Sequence, residues 1–174
     1  MLSKKIWLVV GVVFAAALLR IVPHPPNFAP VAAMALFAGA HVDDKRIAFL
    51  LPLAAMFLSD IVLGFHAGMP LIYVCMCIAV AIGMQMQKNI GVLTVAGGAL
   101  ASSVIFFVVT NFGVWLSSGM YPLNAGGLVA SYVAAIPFFH YTLGGNLFYA
   151  GVLFGGFALI ETRLPSVRGL PGGA

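Results

Sequence analysis

Residues 47–84 read IAFLLPLAAMFLSDIVLGFHAGMPLIYVCMCIAVAIGM, and this stretch decides the fold class. Two apolar runs, Ile47–Phe65 and Pro70–Met84, are joined by a short Gly/Pro turn, and Asp60 is the only charged side chain in either. A spanning helix needs about 20 predominantly apolar residues. The pair therefore predicts two antiparallel membrane helices, bounded by Asp43-Asp44-Lys45-Arg46 before the first and Lys88 after the second.

The same pattern continues in both directions. Ile6–Val22 follows Lys4 and Lys5 and stops at Pro23. Phe28–Ala40 is too short to cross alone and reads as a tilted or partly sheltered helix. Gly91–Trp115 is a full span. A polar stretch, Ser117–Gly127, then leads into a re-entrant or interfacial helix near Leu128–Phe139, and Thr142–Ile160 is the last span. The expectation is an all-α integral membrane protein of six spans (about 6–22, 28–40, 47–65, 70–84, 91–115 and 142–160). They form one membrane domain over 1–164, with a flexible tail over 165–174.

Composition agrees. Of 174 residues 63% are hydrophobic and 7% charged, against roughly 25% charged in ordinary soluble domains. Mean hydropathy is +1.12. Such a surface suits lipid, and excludes a soluble enzyme, a disordered chain, a disulfide scaffold and a nucleic-acid binder. The net charge of +4 follows the positive-inside rule. With the N-terminus inside, Lys4, Lys5, Lys45, Arg46, Lys88, Arg163 and Arg168 fall on the inner side and Arg20 alone outside. That predicts a multi-pass protein of the bacterial inner membrane with both termini cytoplasmic. The basic start of the first run also fits a signal peptide with Ala15-Ala16-Ala17 near a cleavage point. The run's length and Arg20 favour a retained helix.

Polar groups are few and fall at one level. Asp60, five residues before Phe65, and Cys75, five residues after Pro70, lie at similar depth on neighbouring helices. Arg20 ends the first run, and Pro23-His24-Pro25-Pro26-Asn27 is held extended by its prolines. His66 lies in the next turn, and Tyr73 near the start of the following helix. Asn111 and Trp115 are four apart, hence on one face. Tyr121, Tyr132, His140 and Asn146 come from the segments that follow. An intramembrane acid is costly and usually faces a cavity or a partner. The picture is an outward-facing pocket whose candidate binding residues are Arg20, His24, Asn27, Asp60, His66, Tyr73, Cys75, Asn111, Trp115 and Tyr132. Each also has a structural reading: Asp60 neutralising Arg20, Trp115 and the tyrosines as interface anchors, Cys75 as a small hydrophobe. Cys75 and Cys77 lie about 200° apart around a helix, so they do not form a metal pair. Gly11-x-x-x-Ala15, Ala35-x-x-x-Gly39 and Gly151-x-x-x-Gly155 place small residues on one helix face, for packing within the bundle or against another subunit. No phosphate loop, nucleophile elbow or His-Glu-x-x-His is present. If the chain moves any solute against a gradient, the energy would come from a partner or from trapping the solute inside.

Arg20-x-x-Pro23-His24-Pro25-Pro26-Asn27-Phe28-x-Pro30, Ser59-Asp60 with Gly64-Phe65-His66, Thr110-Asn111-Phe112-Gly113-Val114-Trp115 and Ala135-Ile136-Pro137-Phe138-Phe139 resemble a family of small bacterial integral membrane proteins assigned to transport. The resemblance covers about 18–160. That family is similar to the substrate-binding S components of energy-coupling-factor (ECF) vitamin transporters, six-helix proteins with an outward pocket. A weaker resemblance is to the solitary cobalamin transporters of the BtuM type. It implies a bound corrinoid as substrate, with Cys75 as cobalt ligand and His24 and Asp60 beside it. The partners implied are the bilayer, a small-molecule substrate, and an ECF transmembrane/ATPase module or a second copy of the chain. A membrane enzyme using Cys75 on a bound cofactor, or a non-transport membrane subunit, are the alternative readings.

Overall fold

The computed structural model describes residues 4–164, all of it helices and connections. The helices are α1 (Lys4–Leu19), α2 (Val31–His41), α3 (Lys45–Leu63), α4 (Met69–Met86), α5 (Val92–Ser117) and α6 (Ala125–Arg163). Four of them, α3 to α6, are long and apolar enough to cross a membrane. At 1.5 Å per residue α1 and α2 rise about 24 and 16 Å, less than the roughly 30 Å hydrocarbon core.

The short second helix is the centre of the bundle. It packs against all five others, and its residues from Ala32 to His41 are buried. Apolar all round, it has no solvent face to present. Its closest neighbour is α4. A Cβ added to Gly39 would lie 2.2 Å from the Val80 carbonyl oxygen, and one added to Gly83 would lie 2.1 Å from that of Leu36. Only glycine at both positions allows the two backbones to touch. Of the expected small-residue faces, Ala35–Gly39 therefore packs inside the bundle. Gly11, Gly151 and Gly155 meet nothing within 4 Å of a built Cβ.

Helix six corrects the expected organisation. The re-entrant helix near Leu128–Phe139 and the last span at Thr142–Ile160 are one continuous helix of 39 residues. Pro137 lies inside it. Proline there removes one helical hydrogen bond, which an apolar helix packed on neighbours tolerates. At about 58 Å the helix is nearly twice the thickness of the hydrocarbon core.

Helix ends follow ordinary chemistry. Asp44 caps α3 by accepting from the amides of Arg46 and Ile47 at 2.8 and 3.2 Å. Asn124 caps α6 through Gly127 N–H at 2.9 Å. Gly64, at φ +92°, ends α3. Six of the seven described Lys and Arg residues (Lys4, Lys5, Lys45, Arg46, Lys88 and Arg163) lie at the helix ends that share one end of the bundle, here the basic end. The α3–α4 and α5–α6 connections form the opposite, hairpin end. Arg168 and the 165–174 tail lie outside the described residues.

Candidate functional site

Between Leu19 and Val31 the chain is not helical. The prolines at 23, 25 and 26 prevent it: each fixes its own φ and pushes the residue before it out of the helical region. Asn27 takes φ +65° and turns the chain inward. Asn suits this position because its short polar side chain tolerates the left-handed region. Phe28 then packs beside Phe148 and Tyr149 of α6, ring centroids 5.8 and 5.6 Å apart. It sits so close to Gly145 that a Cβ there would approach its Cα to 3.0 Å. Pro30 is fully buried. A proline-rich segment, turned at Pro26-Asn27 where Phe28 N–H bonds the Pro25 carbonyl at 3.0 Å rather than extended as expected, thus enters the bundle from the hairpin end and delivers the N-terminus of α2 into its interior.

One ionic cluster fixes this segment's start. Arg20 Nη2 lies 2.8 Å from Asp60 Oδ1. Arg20 Nη1 donates to the Ser59 hydroxyl, and to the Met56 carbonyl at 3.4 Å. The Tyr73 hydroxyl donates to Asp60 Oδ2 at 2.8 Å. Both carboxylate oxygens are occupied, and Asp60 is 1% exposed. The one described basic group near the hairpin end and the one buried acid neutralise each other, tying α1, α3 and α4 together.

Beside this cluster lie two cavities. The larger, about 620 Å³, is enclosed by the α3–α4 turn, α4, α5, the α5–α6 turn and α6. Its walls combine aromatic rings (Phe106, Phe107, Phe138, Phe139) with neutral polar groups. Several of these polar groups have committed their hydrogens. Thr110 donates to the Phe106 carbonyl, Ser117 to Gly113 and Ser131 to Leu128, at 2.7, 2.8 and 2.8 Å. Asn111 donates through Nδ2 to Phe107 at 2.8 Å. The three hydroxyls keep only lone pairs for a ligand, while Asn111 keeps its amide oxygen and a second N–H. The smaller cavity, about 310 Å³, lies between the Pro-rich segment, the first turn of α2, and α3, α4, α5 and α6. Asn27, Ile72, Phe106 and Thr142 line both.

The expected site residues separate into three groups. Asn27, His66 and Asn111 line the larger cavity; Arg20, His24 and again Asn27 line the smaller. Asp60 and Tyr73 line neither and stand behind Arg20 as its support. Trp115, Tyr132 and Cys75 also line neither. Trp115 donates Nε1–H to the Pro122 carbonyl at 3.0 Å, pinning the α5–α6 turn. Tyr132 donates to the Val108 carbonyl at 2.8 Å, joining α6 to α5. Cys75 is buried, 6% exposed, while Cys77 is half-buried. The wall residues not expected from sequence are Thr110, Ser117, Ser131 and Thr142. Their signal was present: residues 106, 110, 113 and 117, and residues 131, 135, 138, 142 and 146, recur at helical spacing, one face of each helix.

A family model described as a family of unknown function (DUF6580) matches residues 1–167. The chain belongs to this family. No curated protein and no solved structure matches it. For the family as for this chain, function has to be argued from the site.

Proposed function

We propose that the chain is a multi-pass membrane protein that binds a small organic molecule in the larger cavity and serves as the substrate-binding subunit of an uptake system. The likeness to ECF vitamin-transporter S components supports that reading, as does the cavity itself. Its volume falls within the range of about 300–1,000 Å³ of small-molecule sites, and it mixes aromatic walls with a few placed polar groups. The observation that carries the reading is the charge balance. Arg20 and Asp60 cancel, the other described Lys, Arg, Asp and Glu residues lie at the basic end, and neutral acceptors line the cavity. The body of the cargo is therefore uncharged, contains a ring, and carries N–H or O–H donors.

The basic end faces the cytoplasm, which sets both chain ends inside and the cavity outward. A phosphatase reporter fused at the C-terminus stays inactive in that orientation; activity there overturns it. A corrinoid held through Cys75 is the cargo this geometry supports least, because Cys75 lines neither cavity. Purification of the full chain in detergent, followed by mass spectrometry of released small molecules, tests the function directly. A retained molecule of vitamin size is expected. A preparation that releases nothing, and that a panel of vitamins leaves unstabilised in thermal melting, overturns it.

A further inference from the structure

The smaller cavity has hydrogen-bonding groups that nothing among the described residues satisfies. The first hydrogen bond of α2 runs from Met34 N–H to the Pro30 carbonyl, at 2.8 Å. The N–H groups of Val31, Ala32 and Ala33 therefore have no partner among the described residues, and Pro30 supplies no side-chain cap. Val31 and Ala32 form part of the cavity wall. Across the cavity stands Thr142, 7% exposed, whose hydroxyl makes no hydrogen bond among the described residues. Thr110, Ser117 and Ser131, on the same two helices, each bond a carbonyl one turn back, whereas the Thr142 hydroxyl stays free at the cavity. Arg20 completes the donor side; His24, whose Nδ1–H faces the Pro25 carbonyl at 3.0 Å, lines the wall without adding to it. The exception is Asn146, 4% exposed, which gives Nδ2 to Ser103 at 2.8 Å and keeps a free carbonyl oxygen.

Buried polar groups without partners are costly, and in a membrane they persist where they line a cavity that is filled in use. The groups present are almost all donors, at the positive end of a helix dipole. That favours an acceptor carrying negative charge. A helix that begins in mid-bundle with its N-terminus aimed at a site is also how membrane carriers hold anionic substrate groups. The two cavities meet at Asn27, Ile72, Phe106 and Thr142, so one molecule reaches both.

Building on the binding function above, we propose that the substrate carries a carboxylate, which seats in the smaller cavity at the N-terminus of α2 and accepts hydrogen bonds from Thr142 and the first-turn amides. Its donor-bearing ring occupies the larger cavity, where acceptors face it. Substrate polarity is thereby read from end to end: donors toward Thr110, Asn111, Ser117 and Ser131, acid toward α2. Asn146 holds the far wall and excludes a second acceptor-only group.

The test uses the full chain in detergent micelles and a matched pair of probes, 3-(4-aminophenyl)propanoate and its primary amide, with affinities from saturation-transfer NMR titration. The acid is expected to bind about tenfold more tightly than the amide, the scale of one hydrogen bond to a charged group. Thr142→Val removes the hydroxyl at constant shape and is expected to erase that preference, weakening the acid more than the amide; Thr142→Ser restores it. Asn146→Asp adds negative charge to the wall at the loss of the donor to Ser103, and is expected to weaken the acid more than the amide. Equal binding of the two probes, a preference for the acid that Thr142→Val leaves intact, or a co-purifying ligand without an acidic group overturns the carboxylate site while leaving cargo binding standing. Absence of both probe binding and a co-purifying molecule overturns both.

Discussion

The two ends of the bundle are built on opposite principles. Toward the basic end, α2 and α4 touch backbone to backbone through Gly39 and Gly83. His41 closes that end among Phe37, Phe154 and Phe157, with ring centroids 4.3 to 5.2 Å from its own. Its Nδ1 lies 3.1 Å from the Phe37 carbonyl. Gln87 adds a latch, donating through Nε2 to the Gly39 and Val42 carbonyls at 2.9 and 3.0 Å. Toward the hairpin end the helices part around the two cavities, and a few polar links replace packing: Arg20 with Asp60, Tyr73 with Asp60, Tyr132 with Val108. The difference teaches how a small helical protein keeps a cavity open. The closed half holds the helix positions, so the open half need supply only directional contacts.

That comparison breaks most directly at the glycine crossing. Gly83→Leu drives side-chain atoms into the Leu36 backbone, beyond the 1–3 kcal/mol typical of core overpacking. No monodisperse protein is expected in size-exclusion chromatography. Gly151→Leu, where a Cβ meets nothing within 4 Å, is expected to purify normally.

At the other end, Asp60→Asn leaves the Arg20 guanidinium nearly buried without its counter-charge. Removing one partner of a buried pair costs about 3–5 kcal/mol, visible as a lowered melting temperature in detergent. Folded protein of unchanged stability would mean that the ionic tie is not what anchors the Pro-rich segment. Tyr73→Phe removes only the second hydrogen bond to Asp60. A loss of about 1.5–3 kcal/mol is expected in the same melting assay. Because Tyr73 and Asp60 share one network, the double variant is expected to lose less than the sum of the two.

The smallest effects are expected at the thiols. Cys75→Ser and Cys77→Ser change no residue of either cavity wall, so retention of the co-purifying ligand is expected to match the unsubstituted chain in both. A loss confined to Cys75→Ser would bring the thiol back as a ligand.

Much of the helix inventory was legible from sequence, because apolar run length and charged boundaries report it directly. Ile47–Phe65, Pro70–Met84 and Gly91–Trp115 were expected, and Lys45–Leu63, Met69–Met86 and Val92–Ser117 are observed. That helix formation stops at Pro23 was legible because prolines impose it, but the segment expected to be extended closes a turn at Pro26-Asn27, with Phe28 N–H bonded to the Pro25 carbonyl at 3.0 Å. The break expected between Phe139 and Thr142 does not exist: α6 runs on unbroken, with Pro137 inside it, because its neighbours hold it helical. The cavity wall was legible only in part. Charged and aromatic residues draw attention, while Thr110, Ser131 and Thr142 look like ordinary small packing residues in an apolar helix.

By itself the sequence determined the solvent, the helical class and the place where helix formation fails. Each of these depends on local composition: hydropathy, charged boundaries and the fixed φ of proline. Only the tertiary structure decided that the short second helix is the buried centre of the bundle. Only it decided that Asp60 is saturated by Arg20 and Tyr73, and that Thr142 faces a cavity with its hydroxyl free. These are relations among groups on different helices. They depend on rotation and depth set by packing, above all by the two glycines that let α2 and α4 touch.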